Sequence, residues 1–159
     1  MDATLWLLVA AVLGNGLLVG ASLDQTIKQL PTRRRIGVVA FSEYSKAGDL
    51  GRGIAWYATL GIGAALLTLG AAAVVGLSDR PDGPTAVALW LALVLTVAHS
   101  LATARAAPTN FSQRAAAGDP ARLAAIFDRF EHWQTARATL QVLTLLSVTW
   151  ALAAEVARA

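Results

Sequence analysis

Four apolar windows recur along this chain, roughly Leu5–Leu23, Ile54–Leu77, Thr85–Ala104 and Thr135–Ala154, and they constrain its fold more than any other feature. Each is close to the roughly 20 residues that a helix needs to cross the hydrocarbon core of a bilayer. Inside lipid a segment must satisfy its own backbone N–H and C=O groups, so windows of this kind are read as helices. Composition points the same way, since 56% of the 159 residues are hydrophobic and only 14% are charged, and mean hydropathy is positive. The expected fold is an all-α membrane protein: one membrane domain over residues 1–159, arranged as an antiparallel four-helix transmembrane bundle. The first window is read as a span rather than a signal peptide. Asp2 stands where a basic n-region belongs, and the apolar stretch is longer than an h-region.

Charge sets the expected orientation. The connection 24–53 carries Lys28, Arg33, Arg34, Arg35, Lys46 and Arg52, and the connection 105–134 carries Arg105, Arg114, Arg122 and Arg129. Basic loops stay in the cytoplasm, which places both termini outside a multi-pass protein of the inner (plasma) membrane. The net charge of +3 is therefore a matter of topology, and the Arg33–Arg35 triple is expected to anchor headgroups rather than to bind nucleic acid. The partners this implies are the lipid bilayer and a small hydrophobic ligand.

Within the connections, "RIGVVAFSEYSKAGDLG" is expected to form a short interfacial helix with Phe41 and Tyr44 near the headgroups. "SDRPDGP" at 78–84 is a turn sequence joining spans two and three. Asp119 fits a helix cap and Pro120 the first helical position. The stripe Leu123, Ile126, Phe127, Phe130, Trp133 then runs without a breaker into the last window. One helix from Pro120 to about Val156 is expected, with a long cytoplasmic extension. In the first span Gly16 and Gly20 leave one face nearly bare, a surface for bundle packing or for a homo-oligomer.

The topology gathers polar residues at the cytoplasmic level: Asp24, Trp56, Tyr57, His99, Trp133, Arg137 and Gln141. Trp133, Arg137 and Gln141 are successive i,i+4 neighbours on one helix face. A charge within a span faces a cavity or partner, or else snorkels to the headgroups, so Arg137 is either an anion-recognising group or an interfacial anchor. His99 has three readings: a metal or haem ligand, an acid–base or hydrogen-bonding group, or a packing residue. His132 is the only other histidine, too few for a zinc cage without carboxylates, and is expected to be solvated. Asp24 either pairs with Lys28 at the surface or orients Arg137. The absence of cysteine removes disulfides, iron–sulfur clusters and thiolate chemistry. No P-loop, dinucleotide fingerprint, HExxH or GxSxG sequence is present.

These features together make the chain similar to the anthrone oxygenase-like family of small four-span membrane proteins, many of unknown function. The likeness rests on the small-residue end of the first span, "QLP" at 29–31, the P-x-N of Pro108–Asn110, and Trp133 with Arg137 four residues later. The resemblance implies O₂-dependent oxidation of a hydrophobic phenolic or polycyclic substrate; for that chemistry the expected mechanism has a base such as His99 take a proton while Arg137 and Asn110 stabilise the oxyanion. Trp133, Gln141, Trp56, Tyr57 and Asp24 would line the substrate pocket. Such chemistry requires no cofactor. The alternatives are a haem or metal protein using His99 and a non-catalytic lipid- or hydrophobe-binding module.

Overall fold

The computed structural model describes residues 3–78, 83–116 and 118–158. Its elements are α1 (Ala3–Leu23), α2 (Leu30–Ile36), α3 (Val38–Ala47), α4 (Gly53–Gly76), α5 (Pro84–Phe111) and α6 (Pro120–Val156). Wider π-helical turns join α1 to α2 over Asp24–Gln29 and α3 to α4 over Gly48–Arg52, and a 3₁₀ turn, Ser112–Ala116, extends α5. The chain thus forms four long helices, Ala3–Ile36, Val38–Gly76, Pro84–Ala116 and Pro120–Val156, each long and apolar enough to cross a membrane. No strand occurs among the described residues. The turn expected over 78–84 lies largely outside them.

Side-chain contacts fix the bundle as a closed antiparallel ring. Leu7 lies against Gly70, and Ala64 and Leu67 against Gly14, so α1 and α4 run in opposite directions. Trp90 meets Gly76 between α4 and α5, while Thr85–Glu155 and His99–Gln141 hydrogen bonds tie α5 to α6. Gln134 bonds Ser22, and Arg33 bonds Asp128, closing α6 onto the α1–α2 helix. Gly14 is the glycine of α1 that admits a neighbour, since a Cβ there would stand 3.0 Å from Leu67. The Gly16 and Gly20 positions have nothing within 4 Å and face away from the bundle.

The last helix starts and ends as its sequence predicts. Asp119 Oδ1 accepts from the N–H groups of Ala121 (2.9 Å) and Arg122 (3.2 Å), and Pro120 occupies the first helical position. At 37 residues the helix reaches roughly 55 Å at about 1.5 Å per residue, nearly twice the roughly 30 Å hydrocarbon thickness.

The connection 24–53 differs from its expectation. It is a helical hairpin that extends α1 and α4, reversing at Gly37, whose φ of +84° suits glycine. Phe41 is only 2% exposed and packs edge-on against Phe127, with ring centroids 5.0 Å apart. It belongs to a core rather than to an interface, because the hairpin folds back onto the α6 extension. Tyr44 is exposed. Arg33 is likewise removed from the expected headgroup triple: it is 5% exposed and donates to Asp128 (2.8 Å) and Glu131 (2.6 Å).

Two apolar cores result. One lies near the chain termini and combines Leu8, Ala71, Ala88, Leu89, Ala92 and Val148 with other small side chains. The second lies in the extensions and is made of Leu30, Phe41, Ala106, Leu123, Phe127 and Phe130. A belt of buried polar side chains separates them.

Candidate functional site

That polar belt lines a half-open cavity of about 200 Å³, whose polar lining comes from Gln25, Asp49, Tyr57, Thr103, Asn110 and Arg137. Phe111 and Phe130 supply apolar wall. Both π-helical turns contribute, Gln25 from the first and Asp49 from the second. A π turn re-aims side chains that a regular helix would direct elsewhere.

Arg137 is the cation of the site. Its Nη1 donates to Gln134 Oε1 at 2.9 Å. Gln134, itself 0% exposed, is held by Nε2 bonds to the Ser22 carbonyl and the Thr26 hydroxyl, both 3.3 Å. Arg137 Nε is buried with no hydrogen-bond partner. Among the described residues no carboxylate stands within ion-pair distance of it. A guanidinium partly withdrawn from water with an unpaired N–H is suited to a hydrogen-bond acceptor that carries negative charge.

Another part of the wall is a continuous hydrogen-bonded chain. Asp49 accepts from Ser45 Oγ at 3.0 Å. Gln113 Nε2 donates to Ser45 Oγ (3.2 Å) and to Asn110 Oδ1 (2.7 Å), while Ser42 Oγ donates to Gln113 Oε1 at 3.0 Å. The chain orders Asp49 and Asn110 without drawing on Arg137.

Of the residues singled out from sequence, Tyr57, Asn110 and Arg137 line the cavity. His99 does not, although Thr103 beside it does. Gln141 Nε2 donates to His99 Nε2 over 2.6 Å, and Thr103 Oγ1 lies 3.3 Å from the same nitrogen. That ring nitrogen is engaged, and among the described residues no three His, Asp or Glu side chains converge as a metal site. Gln141 is buried at the level of His99, and its Oε1 has no partner. Trp133 packs on the core of the extensions and against His132, ring centroids 5.6 Å apart. The stripe Trp133–Arg137–Gln141 therefore exists, but it spans about 12 Å at about 1.5 Å per residue, and only its middle member reaches the cavity.

Trp56 is 56% exposed on the outside of the bundle; adjacent helical residues point in different directions, and Tyr57 takes the inward one. Asp24 is tied to Lys28 and to Gln29 Nε2, 2.6 Å away, and leaves the orienting of Arg137 to Gln134. The sequence reading missed Gln25, Asp49 and Gln134. Gln134, three residues before Arg137 on the same face, was the most accessible of these signals.

Compared with protein-family models, with curated proteins and with solved structures, the chain matches none.

Proposed function

We propose that this chain is a multi-pass plasma-membrane protein, with its basic connections in the cytoplasm, that takes a hydrophobic phenolic or polycyclic molecule into the cavity and oxidises it with O₂. The observation that carries this reading is Arg137, a half-buried cation at a partly apolar cavity, whose Nε–H is buried without a partner and which has no carboxylate within ion-pair distance among the described residues. A ligand oxygen that gains negative charge would complete it, and charge that grows along the reaction is stabilised more than charge already present. The overall step is balanced as R₂CH₂ + O₂ → R₂C=O + H₂O, in which the methylene carbon is oxidised and dioxygen is reduced to one carbonyl oxygen and one water. The resemblance drawn from Pro108–Asn110, Trp133 and Arg137 supports the same chemistry. A cavity of about 200 Å³ lies below the roughly 300–1,000 Å³ of common small-molecule sites, which favours a compact fused-ring end over a whole lipid tail.

The test is oxygen uptake by the protein in lipid vesicles with anthrone as probe, read together with quinone formation. Arg137→Gln should lower turnover by about 10²–10³-fold, the usual effect of losing one oxyanion donor. Helix content should be unchanged. Equal turnover by wild type and variant would remove Arg137 from the reaction, and wild-type protein that neither consumes oxygen nor forms quinone would end the oxygenase reading.

A further inference from the structure

The cavity has a second pole that the reading above leaves unused. Asp49 lines the wall supplied by the second π-helical turn, whereas Arg137 enters from α6. Among the described residues Asp49 has no ion-pair partner within 4 Å. Its bond from Ser45 uses only part of a carboxylate's acceptor capacity. Its position is set by backbone packing as well: a Cβ on Gly53 would come within 2.7 Å of the Gly48 carbonyl oxygen, so the turn carrying Asp49 is seated directly on the start of α4. Arg114 Nη2 holds the same turn from behind through the Leu50 carbonyl, 2.8 Å away. Tyr57 from α4 and Arg137 from α6 are the other ionisable groups that line the cavity.

We propose that Asp49 is the general base of this site and takes a proton from the hydrophobic carbon acid bound in the cavity, while Arg137 holds the ligand oxygen that gains charge. The inference rests on the function proposed above. The carboxylate of Asp49 takes the proton, the C–H bonding pair is delocalised onto the ligand oxygen as an enolate, and Arg137 holds that oxygen. O₂ then adds to the electron-rich carbon as a peroxide anion, the O–O bond breaks as the second C–H hydrogen is lost and the carbonyl forms, and that hydrogen leaves with the proton from Asp49 in the water formed, restoring the carboxylate. His99 is not required as base, since its Nε2 is occupied by Gln141 and it does not line the cavity.

Proton removal can be read without oxygen. Full-length protein in lipid vesicles would be mixed with anthrone in D₂O under anaerobic conditions, and deuterium uptake at the ring methylene followed by mass spectrometry. The wild type should accelerate exchange, and Asp49→Asn should lose at least about 100-fold of that acceleration, within the range for general-base catalysis. Asp49→Asn should still bind anthraquinone, read by quenching of tryptophan fluorescence. Exchange by Asp49→Asn at the wild-type rate, with quinone still formed in air, would overturn the assignment of Asp49 and leave the oxygenase reading standing. Wild-type exchange that Asp49→Asn loses, without quinone formation, would support Asp49 as base and overturn the oxygenase step, and a wild type that does neither would overturn both. Should Asp49→Asn not fold, Ser45→Ala decides. Removing a hydrogen bond from a carboxylate makes it more basic, so the exchange rate should rise with pH at a higher midpoint than in wild type; an unmoved midpoint would overturn the proposal.

Discussion

The core near the termini and the core in the extensions hold the same helices together with different side chains. Around Leu8 and Leu89 the contacts are made mainly by Ala71, Ala72, Ala86, Ala88, Ala92 and Ala151. Beyond the cavity, Phe41, Phe127, Phe130, Leu30 and Leu123 take over. Small residues let helix backbones approach where the surrounding lipid is as apolar as the side chains, and association there rests on close packing. Large aromatic and aliphatic residues gain from leaving water, which is where the driving force for burial is greatest. The change in core type falls at one level of the bundle, between the small side chains near the termini and the large ones of the extensions. The cavity lies at that level, where a hydrophobic molecule can sit with its polar end among side chains.

The largest expected effect falls on the water-driven core. Phe127 is fully buried and forms the edge-on ring pair with Phe41. Phe127→Ala should cost about 3–5 kcal/mol, as buried Phe truncations do. It should release the 24–53 hairpin to proteolysis while the spans stay helical, as followed by limited digestion and circular dichroism in detergent. Loss of helix throughout would mean that the two cores form one cooperative unit.

A smaller effect is expected from the ion pairs that clamp the same extensions. Arg33 bridges from α2 to Asp128 and Glu131 of α6 and also donates to the Leu30 carbonyl at 3.1 Å. Its carboxylate partners are partly or largely solvated, so they recover water when the pair is broken. Arg33→Met should therefore destabilise the extensions by only about 1–3 kcal/mol, the range for hydrogen bonds to charged groups. A thermal midpoint of the hairpin that did not move would show the clamp to be neutral, with apolar burial alone holding the hairpin.

The contrast between the cores also explains what could be read in advance. Span lengths, the Asp119–Pro120 start and the unbroken α6 follow from hydropathy, capping chemistry and the absence of breakers, all local properties. The role of Arg137 was half legible, since a charge in an apolar run requires a partner, but Gln134 as that partner depends on α1 and α6 meeting at Ser22 and Thr26. Phe41 and Arg33 were misplaced because their sequence, aromatic and basic residues next to a span, is the same for a headgroup anchor as for a hairpin that folds back on a neighbouring helix. Asp49 was passed over because it lies between Gly48 and Gly51, where local rules read a loop end. Only the backbone kink at Gly51, with ψ of −118°, turns that segment into a cavity wall.

The smallest effect should come from the span side, although it concerns a fully formed buried hydrogen bond. Asn15, the strongly polar side chain inside α1, donates to the Thr68 hydroxyl at 3.0 Å and to the Ala11 carbonyl at 2.9 Å. In water-soluble cores a buried Asn left half-bonded is expensive, but in a membrane span the separated helices also find partners for their polar groups, and such bonds average only about 0.6 kcal/mol. Thr68 further limits the loss, because its hydroxyl bonds the Ala64 carbonyl at 2.8 Å whether or not Asn15 is present. Asn15→Leu should therefore shift the thermal midpoint of the detergent-solubilised bundle far less than Phe127→Ala. A loss as large as that of Phe127→Ala would mean that α1 and α4 are held by polar contacts rather than by the small-residue packing at Gly14 and Gly70, and the distinction between the two cores would fail on the membrane side.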